Sequence, residues 1–352
     1  MRQAIIFLLM ILVLSSCEED DFGEVVHQDD FLFSQNGVFI VNEGNFSHSN
    51  GSVSFYSFDS AKVYNHAFLN RNERPPGDVP NHMAIKDTIA LLSVNNSAKV
   101  EIVNIQTLES KGSVALGSSP REAVFIDDHT AVISDLYSDS LTVLDVRDQS
   151  VERRIGIGRS SESMVMASGK LFVANWSMLN HPAKENNQIM VVDIEAGRAI
   201  DSITVAKEPN SMIRDKTGKL WVLSSGGFQN EDYPALTRIN PENNAIEKAF
   251  TFPEREANPV NLTANIAGDT LYWLNDGVYS MPVTAGTLPG SPDIEAADRN
   301  FYSLAISDHR ILVSDAVDFQ QRGEIRVYKK NFQADTLFRA GIIPGFMKPV
   351  KP

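Results

Sequence analysis

The segment Val38–Asn42 (VFIVN) places four apolar residues in a row and ends on a small polar residue. Copies of this pattern recur at Ile89–Ser93, Ala131–Asp135, Leu171–Asn175, Leu220–Ser224, Leu271–Asn275 and Ile311–Asp315, about 40 to 50 residues apart. Continuous apolar runs fit strands that are covered on both faces. A strand-containing unit with this period is typical of a propeller blade. The seven copies therefore predict an all-β fold, a seven-bladed β-propeller.

A second repeat, Pro-x-x-apolar, lies between successive copies of the first. It occurs at Pro80–Met83, Pro120–Ala123, Ser161–Met164 (without the proline), Pro209–Met212, Pro259–Leu262, Phe301–Leu304 (also without it) and Pro344–Met347. A proline at the first residue of a strand removes no ladder hydrogen bond, so this repeat predicts the start of each blade's innermost strand. We name the strands of a blade A to D from the inside outwards, which makes the VFIVN-type runs the B strands.

The two chain ends predict how the ring closes. The first unit begins at Val38 with a B strand and has no A strand of its own, whereas an extra A-strand pattern follows the last unit. We expect Ile343–Lys348 to supply the missing A strand of blade 1, because ring closure by this C-terminal strand removes exposed strand edges. Blade 6 has the weakest pattern, since its outer half, Gly277–Asp298, contains three prolines.

The N-terminal residues have the pattern of a targeting segment. Arg2 precedes the apolar run Ala4–Leu14, which is too short for a membrane span of roughly 20 residues but suits a signal peptide. The run ends at Leu14-Ser-Ser-Cys17, and this sequence around the only cysteine resembles a bacterial lipobox. The prediction is a lipoprotein signal peptide at 1–16, a lipidated acidic tether at 17–36 and the propeller at 37–352. The alternative is a plain secretory signal with an incidental cysteine.

Composition argues against a nucleic-acid partner. The chain carries 45 acidic and 31 basic side chains, a net charge of −14, whereas nucleic-acid binding requires a basic surface. The acidic run Glu18–Asp21 resembles the export signal of Bacteroidetes lipoproteins that face the cell exterior. We therefore expect the protein to be lipid-anchored in the outer membrane.

Long loops indicate where a ligand would bind. The B–C loops are long in blades 1, 4, 5 and 7, at Glu43–Ser52, Trp176–Gln188, Ser225–Pro234 and Ala316–Gly323. In a four-stranded meander, these loops share one rim with the connections between blades, and we call it the B–C rim. Long loops on a rigid scaffold commonly carry binding sites. Aromatic residues in such loops would either form a shared apolar platform or pack within their own loops.

The sequence contains few residues that are typical of catalytic or metal-binding sites. The sequence lacks a nucleophile elbow, a zinc-protease helix, a P-loop and a dinucleotide-binding glycine pattern. The residues that close the B strands, Asn42, Ser93, Asp135, Asn175, Ser224, Asn275 and Asp315, either line a pocket or, as we favour, cap the strands. His82 is interpreted as structural. Asp135, Glu162 and Asp315 would suit Ca²⁺ or hydrolysis, but their spacing does not require it. We predict no catalytic residue, no metal site and no enzymatic activity.

The repeats resemble the YncE-like seven-bladed propellers over about Gly37–Met347. The stretches Val38–Phe46 and Asn50–Tyr56 look more specifically like the Bacteroidetes surface-layer-type lipoprotein branch of that family. One member of that branch captures cobalamin at the cell surface for a TonB-dependent outer-membrane transporter. The resemblance implies capture of a small molecule, with cobalamin or a related corrinoid as bound ligand rather than resident cofactor.

A corrinoid is large, flat and partly apolar, with amide arms, and it would suit aromatic and hydrogen-bonding side chains on one rim. The candidate ligand-binding residues are Phe46, Asn81, Arg121, Tyr137, Trp176, Asn210, Phe228, Tyr302 and Phe319. The alternatives are another cargo (a siderophore, haem or a glycan), a protein partner, or a lactonase-type hydrolase.

Overall fold

The computed structural model describes residue 33 and residues 36–176 and 185–350. The predicted signal peptide, the lipidation of Cys17 and nearly all of the predicted tether lie outside the described residues. So does the segment 177–184 in the B–C loop of blade 4. Seven four-stranded antiparallel sheets form a ring, which confirms the seven-bladed β-propeller.

The strands follow one another along the chain, blade by blade. Blade 1 begins with β1 (Gly37–Asn42), β2 (Ser52–Ser57) and β3 (Lys62–Tyr64), and blade 2 comprises β4 (Pro80–Lys86), β5 (Ile89–Val94), β6 (Lys99–Asn104) and β7 (Ser110–Ala115). Blade 3 comprises β8 (Pro120–Phe125), β9 (Thr130–Asp135), β10 (Ser140–Asp145) and β11 (Ser150–Gly156), and blade 4 comprises β12 (Met164–Ala167), β13 (Lys170–Ala174), β14 (Gln188–Asp193) and β15 (Arg198–Thr204). Blade 5 comprises β16 (Pro209–Arg214), β17 (Leu220–Ser224), β18 (Ala235–Asn240) and β19 (Ala245–Thr251), and blade 6 comprises β20 (Val260–Ala264), β21 (Thr270–Leu274), β22 (Gly277–Pro282) and β23 (Ile294–Glu295). Blade 7 comprises β24 (Phe301–Ile306), β25 (Arg310–Asp315), β26 (Arg322–Lys329) and β27 (Ala334–Ile342), and the last strand is β28 (Pro344–Val350).

The last strand closes the ring as predicted. β28 pairs antiparallel with β1, from Gly37 opposite Val350 to Asn42 opposite Pro344, and the resulting sheet has the order β28-β1-β2-β3. Blade 1 therefore joins three N-terminal strands to one C-terminal strand, which pairs along the whole of β1 with one register shift between Val41 and Asn42.

The apolar core lies between neighbouring blades. Within the described residues, seven clusters of buried apolar side chains fill the seven inter-blade spaces. Successive residues of a B strand enter opposite spaces, because side chains alternate along a strand. In β5, Leu92 packs toward blade 1 and Leu91 toward blade 3. This two-sided burial explains why the B strands are continuously apolar in the sequence.

Several elements differ from the sequence prediction. The six-residue helix α1 (Ala67–Asn72) and the short strand β3 were not predicted. In blade 6, β22 is a regular strand despite its weak pattern, whereas β23 has only two residues. No helix among the described residues has the length and apolar character needed to cross a membrane.

The chain enters the propeller beside blades 1 and 2. Phe33 falls within the segment predicted as tether, but its ring is buried and meets the Phe55 ring edge-on at 5.5 Å between centroids. Its backbone N–H donates to the carbonyl of Gln106 at 2.7 Å. Because Gln106 follows the C strand β6, this entry point lies on the rim opposite the B–C rim.

Candidate functional site

The A strands surround a central channel with a volume of about 1420 Å³. The two middle residues of the Pro-x-x-apolar repeats line it, for example Asn81 and His82 from blade 2 and Arg121 and Glu122 from blade 3. The strand register shifts at these positions, between Pro80 and His82 and between Pro120 and Ala123. Such a bulge redirects side chains out of the normal alternation, and it brings both middle residues to the channel.

The second middle position connects neighbouring blades. His82 Nδ1 accepts the backbone N–H of Ala123 at 3.3 Å, and Glu122 Oε2 accepts that of Met164 at 3.0 Å. The same contact continues around the ring, from Met212 N–H to Ser163 Oγ at 3.2 Å and from Leu262 N–H to Ser211 Oγ at 2.9 Å. These side chains satisfy backbone groups that the bulge leaves unpaired.

His82 has the structural role that the sequence predicted. Its ring lies 4.5 Å from that of Phe346 between centroids. Loss of hydration lowers the pKa of His82 to about 3, and the positive charges of Lys348 and Arg121 lower it further. The imidazole is therefore neutral at physiological pH and can accept the backbone hydrogen bond.

The first middle position carries a charged cluster at the mouth of the channel. Arg121 Nε donates to both carboxylate oxygens of Glu162, at 2.9 and 2.8 Å, and Arg121 Nη2 donates to Oε1 at 2.8 Å. The Tyr302 hydroxyl donates to Glu43 at 3.3 Å. Blades 1, 3, 4 and 7 each contribute one of these residues, so the cluster exists only in the closed ring.

Burial shifts the pKa values of the side chains in this cluster. Desolvation raises the pKa of Glu43 to about 6, although the charge of Arg121 and the Tyr302 hydroxyl oppose the rise. Desolvation also raises the pKa of Tyr302, and the Glu43 carboxylate adds to this effect. Desolvation alone would lower the pKa of Arg121, but the ion pair with Glu162 outweighs it and raises that pKa. At neutral pH the Glu43 carboxyl is therefore largely ionised beside the Arg121 cation.

A second group of charges lies deeper in the channel. Desolvation raises the pKa of Glu122 to about 7, and the negative charge of Glu162 contributes, although the Met164 N–H and the Ser163 hydroxyl both donate to the carboxylate. Lys348 on β28 also lines the channel, and desolvation lowers its pKa. The channel interior thus contains the Glu122 carboxyl, with a pKa near 7, and the poorly hydrated ammonium group of Lys348.

Of the polar residues that close the B strands, Asp135 and Asp315 cap their own B–C loops, whereas the hydroxyls of Ser93 and Ser224 have no hydrogen-bond partner among the described residues. Asp135 Oδ1 accepts the N–H groups of Tyr137 and Ser138 at 2.9 and 2.8 Å. Asp315 Oδ1 accepts that of Val317 at 3.0 Å. Both carboxylates hold their own B–C loops, while Glu162 binds Arg121. Among the residues that the structure describes, no group of three or more His, Cys, Asp or Glu side chains is arranged to hold a metal ion.

A model of one protein family, described as Domain of unknown function (DUF5074), matches residues 36–287. The chain belongs to the DUF5074 family. A search of curated proteins finds no match to the chain. The family and the propeller fold are thus shown for this DUF5074 protein, and the lipoprotein branch remains a prediction.

Solved structures similar to the DUF5074 protein share its fold at low identity. A quinonprotein alcohol dehydrogenase-like protein from Bacteroides thetaiotaomicron superposes with a TM-score of 0.70 at 13% identity, over 91% of this chain and 79% of that one. A functionally unknown protein from Desulfotomaculum acetoxidans has a TM-score of 0.66 at 14% identity, over 90% and 100%. Streptogramin B lyase has a TM-score of 0.56 at 9% identity, over 87% and 88%. Identities this low support the fold alone.

The predicted site residues fall into two groups. Asn81, Arg121, Asn210 and Tyr302 occupy the first middle position of their repeats and line the channel together with Trp176, the last described residue before 177–184. Phe46, Tyr137 and Phe228 lie outside the channel in B–C loops, with 69%, 56% and 91% of their surface exposed. Phe319 joins the two groups, because its ring meets that of Tyr302 edge-on at 5.5 Å.

Among the channel residues that the sequence analysis did not single out are Glu43, Glu122 and Lys348. Glu43 directly follows a B strand, and its carboxylate occupies the space beside Gly345, where a Cβ would approach it to 2.2 Å. Glu122 stands beside Arg121 in the same Pro-x-x-apolar repeat, so alignment of the repeats would have identified it. Lys348 follows the last such repeat by one residue and could have been assigned to the channel from ring closure.

Proposed function

We propose that this DUF5074 protein is a non-enzymatic binding propeller that captures cobalamin or a related corrinoid on its B–C rim. In this proposal the protein is lipid-anchored at the outer face of the outer membrane and delivers its ligand to a TonB-dependent transporter. The observation that carries the proposal is the set of exposed aromatic side chains on the B–C rim. Phe46, Tyr137, Phe228 and Phe319 come from the B–C loops of blades 1, 3, 5 and 7, on the rim at which the polar channel mouth opens.

The chemistry of the rim suits a broad, flat ligand. Aromatic faces provide apolar contact area with few rotatable bonds, and exposed apolar groups on one face are typical of binding surfaces. The channel mouth adds the amides of Asn81 and Asn210 and the hydroxyl of Tyr302 as hydrogen-bonding groups. A corrin ring with primary amide arms has the matching combination of an apolar face and polar edges.

The charged cluster favours binding over hydrolysis. A general base or a metal-bound nucleophile requires a carboxylate with free lone pairs at the reacting centre. Glu162 accepts three hydrogen bonds from Arg121, and the Asp135 and Asp315 carboxylates hold loop backbone. Glu43 retains acceptor capacity, but its mouth position also suits a hydrogen bond to a ligand amide.

The test uses purified protein lacking residues 1–17, mixed with a slight excess of cyanocobalamin and then desalted. We expect the protein peak to retain stoichiometric corrin absorbance. Phe228→Ala should weaken binding about tenfold, the effect of losing one aromatic contact. The matched control is Ile246→Ala, because Ile246 is 45% exposed on the outer strand β19 of the same blade and does not line the channel.

A colourless protein peak would remove cobalamin as the ligand, and siderophores, haem and glycans would be tested next in the same way. Equal weakening by Phe228→Ala and Ile246→Ala would contradict the assignment of the B–C rim as the binding face.

A further inference from the structure

Lys348 is a cation in the channel interior without a direct partner. It lies three residues beyond Gly345 on β28, which places it about 10 Å along the strand from the mouth. Its ammonium group forms no hydrogen bond or ion pair with any described residue. Glu122 and His82 are the titratable groups that interact with it, and Arg121 in turn interacts with His82.

None of these groups forms an ion pair with the Lys348 ammonium group. His82 is neutral and uses Nδ1 to accept the Ala123 N–H. Arg121 is itself a cation and is paired with Glu162. Glu122 attracts Lys348 from outside ion-pair distance, and its carboxylate already accepts hydrogen bonds from the Met164 N–H and the Ser163 hydroxyl. The Lys348 ammonium group therefore has unused donor capacity in the channel.

The surroundings of Lys348 would strengthen its interaction with an anion. Ile213 and Ile306 contribute apolar wall to the same channel. A charge pair in a poorly hydrated space attracts more strongly than one in bulk water, and an ammonium–oxyanion hydrogen bond is stronger than a neutral one. An uncompensated ammonium is unfavourable in such a space unless a ligand neutralises it.

We propose that Lys348 forms an oxyanion subsite in the channel, which receives a phosphate or carboxylate group of the ligand whose body lies on the B–C rim. The position of the ligand body rests on the proposed function, whereas the subsite itself rests on Lys348 and the channel. A cobalamin carries one phosphodiester, in its nucleotide tail. The subsite therefore orients a bound cobalamin with that tail directed into the channel.

The first test needs no corrinoid. The thermal unfolding midpoint is measured against increasing sodium phosphate and, in parallel, sodium acetate, with sodium chloride at matched ionic strength as the reference. Binding to the native state raises the midpoint in a saturable way. We expect saturable stabilisation of the wild type by at least one oxyanion, and the two salts distinguish a phosphate from a carboxylate preference.

Four variants make this test specific. Lys348→Met should raise the half-saturating concentration about tenfold or more, the effect of losing a charged hydrogen bond. Lys348→Arg should retain the saturable response. Glu122→Gln should lower the half-saturating concentration, because the competing negative charge is removed. Lys330→Met, at an exposed lysine on the outside of the propeller, should behave as the wild type. An identical response in Lys348→Met and wild type would overturn the subsite.

The second test compares cyanocobalamin with dicyanocobinamide, which lacks the nucleotide tail and its phosphate. Lys348→Met should weaken cyanocobalamin binding about tenfold or more and leave dicyanocobinamide binding unchanged. Equal weakening of both would overturn the subsite but leave corrinoid capture standing. If the wild type binds neither corrinoid, the proposed function is wrong, and the oxyanion titration alone decides on Lys348.

Discussion

Replacement of Arg121 by methionine tests the electrostatic organisation of the channel mouth. The guanidinium of Arg121 donates three hydrogen bonds to Glu162, and the two side chains are 24% and 14% exposed. A fully exposed pair contributes up to about 1 kcal/mol, whereas removal of one partner from a buried pair costs about 3–5 kcal/mol. This pair lies between those limits, so Arg121→Met should lower the free energy of unfolding by about 2 kcal/mol at pH 7.5.

The pH dependence of this loss has a definite sign. Arg121 lowers the pKa of Glu43, which desolvation raises to about 6. Without Arg121, carboxylates at the mouth lose their counter-charge and bind protons more readily in the native state. A group whose native pKa is raised favours folding at low pH and loses that contribution as pH rises through the native pKa. The variant should therefore be closer to the wild type in stability at pH 5 than at pH 8.

The assay is urea unfolding of wild type, Arg121→Met, Glu162→Gln and the double variant, at pH 5 and pH 8. The double-mutant cycle should give a coupling free energy of about 1–2 kcal/mol at pH 8. A coupling near zero, or a loss of stability in Arg121→Met that is the same at both pH values, would refute the view that this ion pair compensates the buried carboxylates.

Two further predictions concern the rest of the channel and the closure of the ring. Glu122 has a native pKa of about 7 against a reference value of 4.5, so it should lower the free energy of unfolding as pH rises from about 4.5 to 7, by at most about 3 kcal/mol. His82, with its lowered pKa, acts in the opposite direction below pH 6.5. Glu122→Gln should therefore remove the Glu122 contribution in urea unfolding across this range, and an unchanged pH profile would contradict the assignment. Gly323→Ala should cost about 1–3 kcal/mol, because its Cβ would lie 2.4 Å from the Pro344 ring and 2.8 Å from the Asp315 carbonyl oxygen at the junction with the closing strand. The control Gly290→Ala has no atom within 4 Å of its Cβ and should show no comparable loss in the same assay.

The parts of the fold that sequence predicts well are those packed on both faces. Leu91 and Leu92 in β5 are both fully buried, in different inter-blade spaces, and such runs are visible without an alignment. The outer strands are less visible in the sequence. The first five residues of β11, Ser150–Arg154, are all exposed and therefore carry no hydrophobic periodicity. Helix α1 was missed for a related reason, since six residues are too few to show a helical period.

The candidate site was harder to predict because its parts come together only through the ring. Arg121 and Tyr302 were named from their repeat positions, but Glu43 reaches them from a B–C loop of blade 1. Arg121 and Glu162 are 41 residues apart, about one blade period, and they occupy the same repeat position in neighbouring blades. Side chains at equivalent positions of adjacent A strands become neighbours around the channel. Alignment of the Pro-x-x-apolar repeats would thus have predicted this ion pair. The sequence separations between the acidic residues do not indicate it.

The two middle positions of the Pro-x-x-apolar repeat differ in what they do for the fold and for a ligand. At the second middle position, His82, Glu122 and Ser163 each accept a backbone N–H from the next blade. Asn261 and Ser303 occupy the same position but donate to a backbone carbonyl of the next blade. At the first middle position, chemically unrelated residues such as Arg121, Val260 and Tyr302 occur. The second position therefore mainly connects blades, and the first position varies more widely in the chemistry that it brings to the channel mouth. Lys348 lies beyond both positions, and although its backbone pairs with Phe39 in the closing strand, its side chain is free to serve the channel.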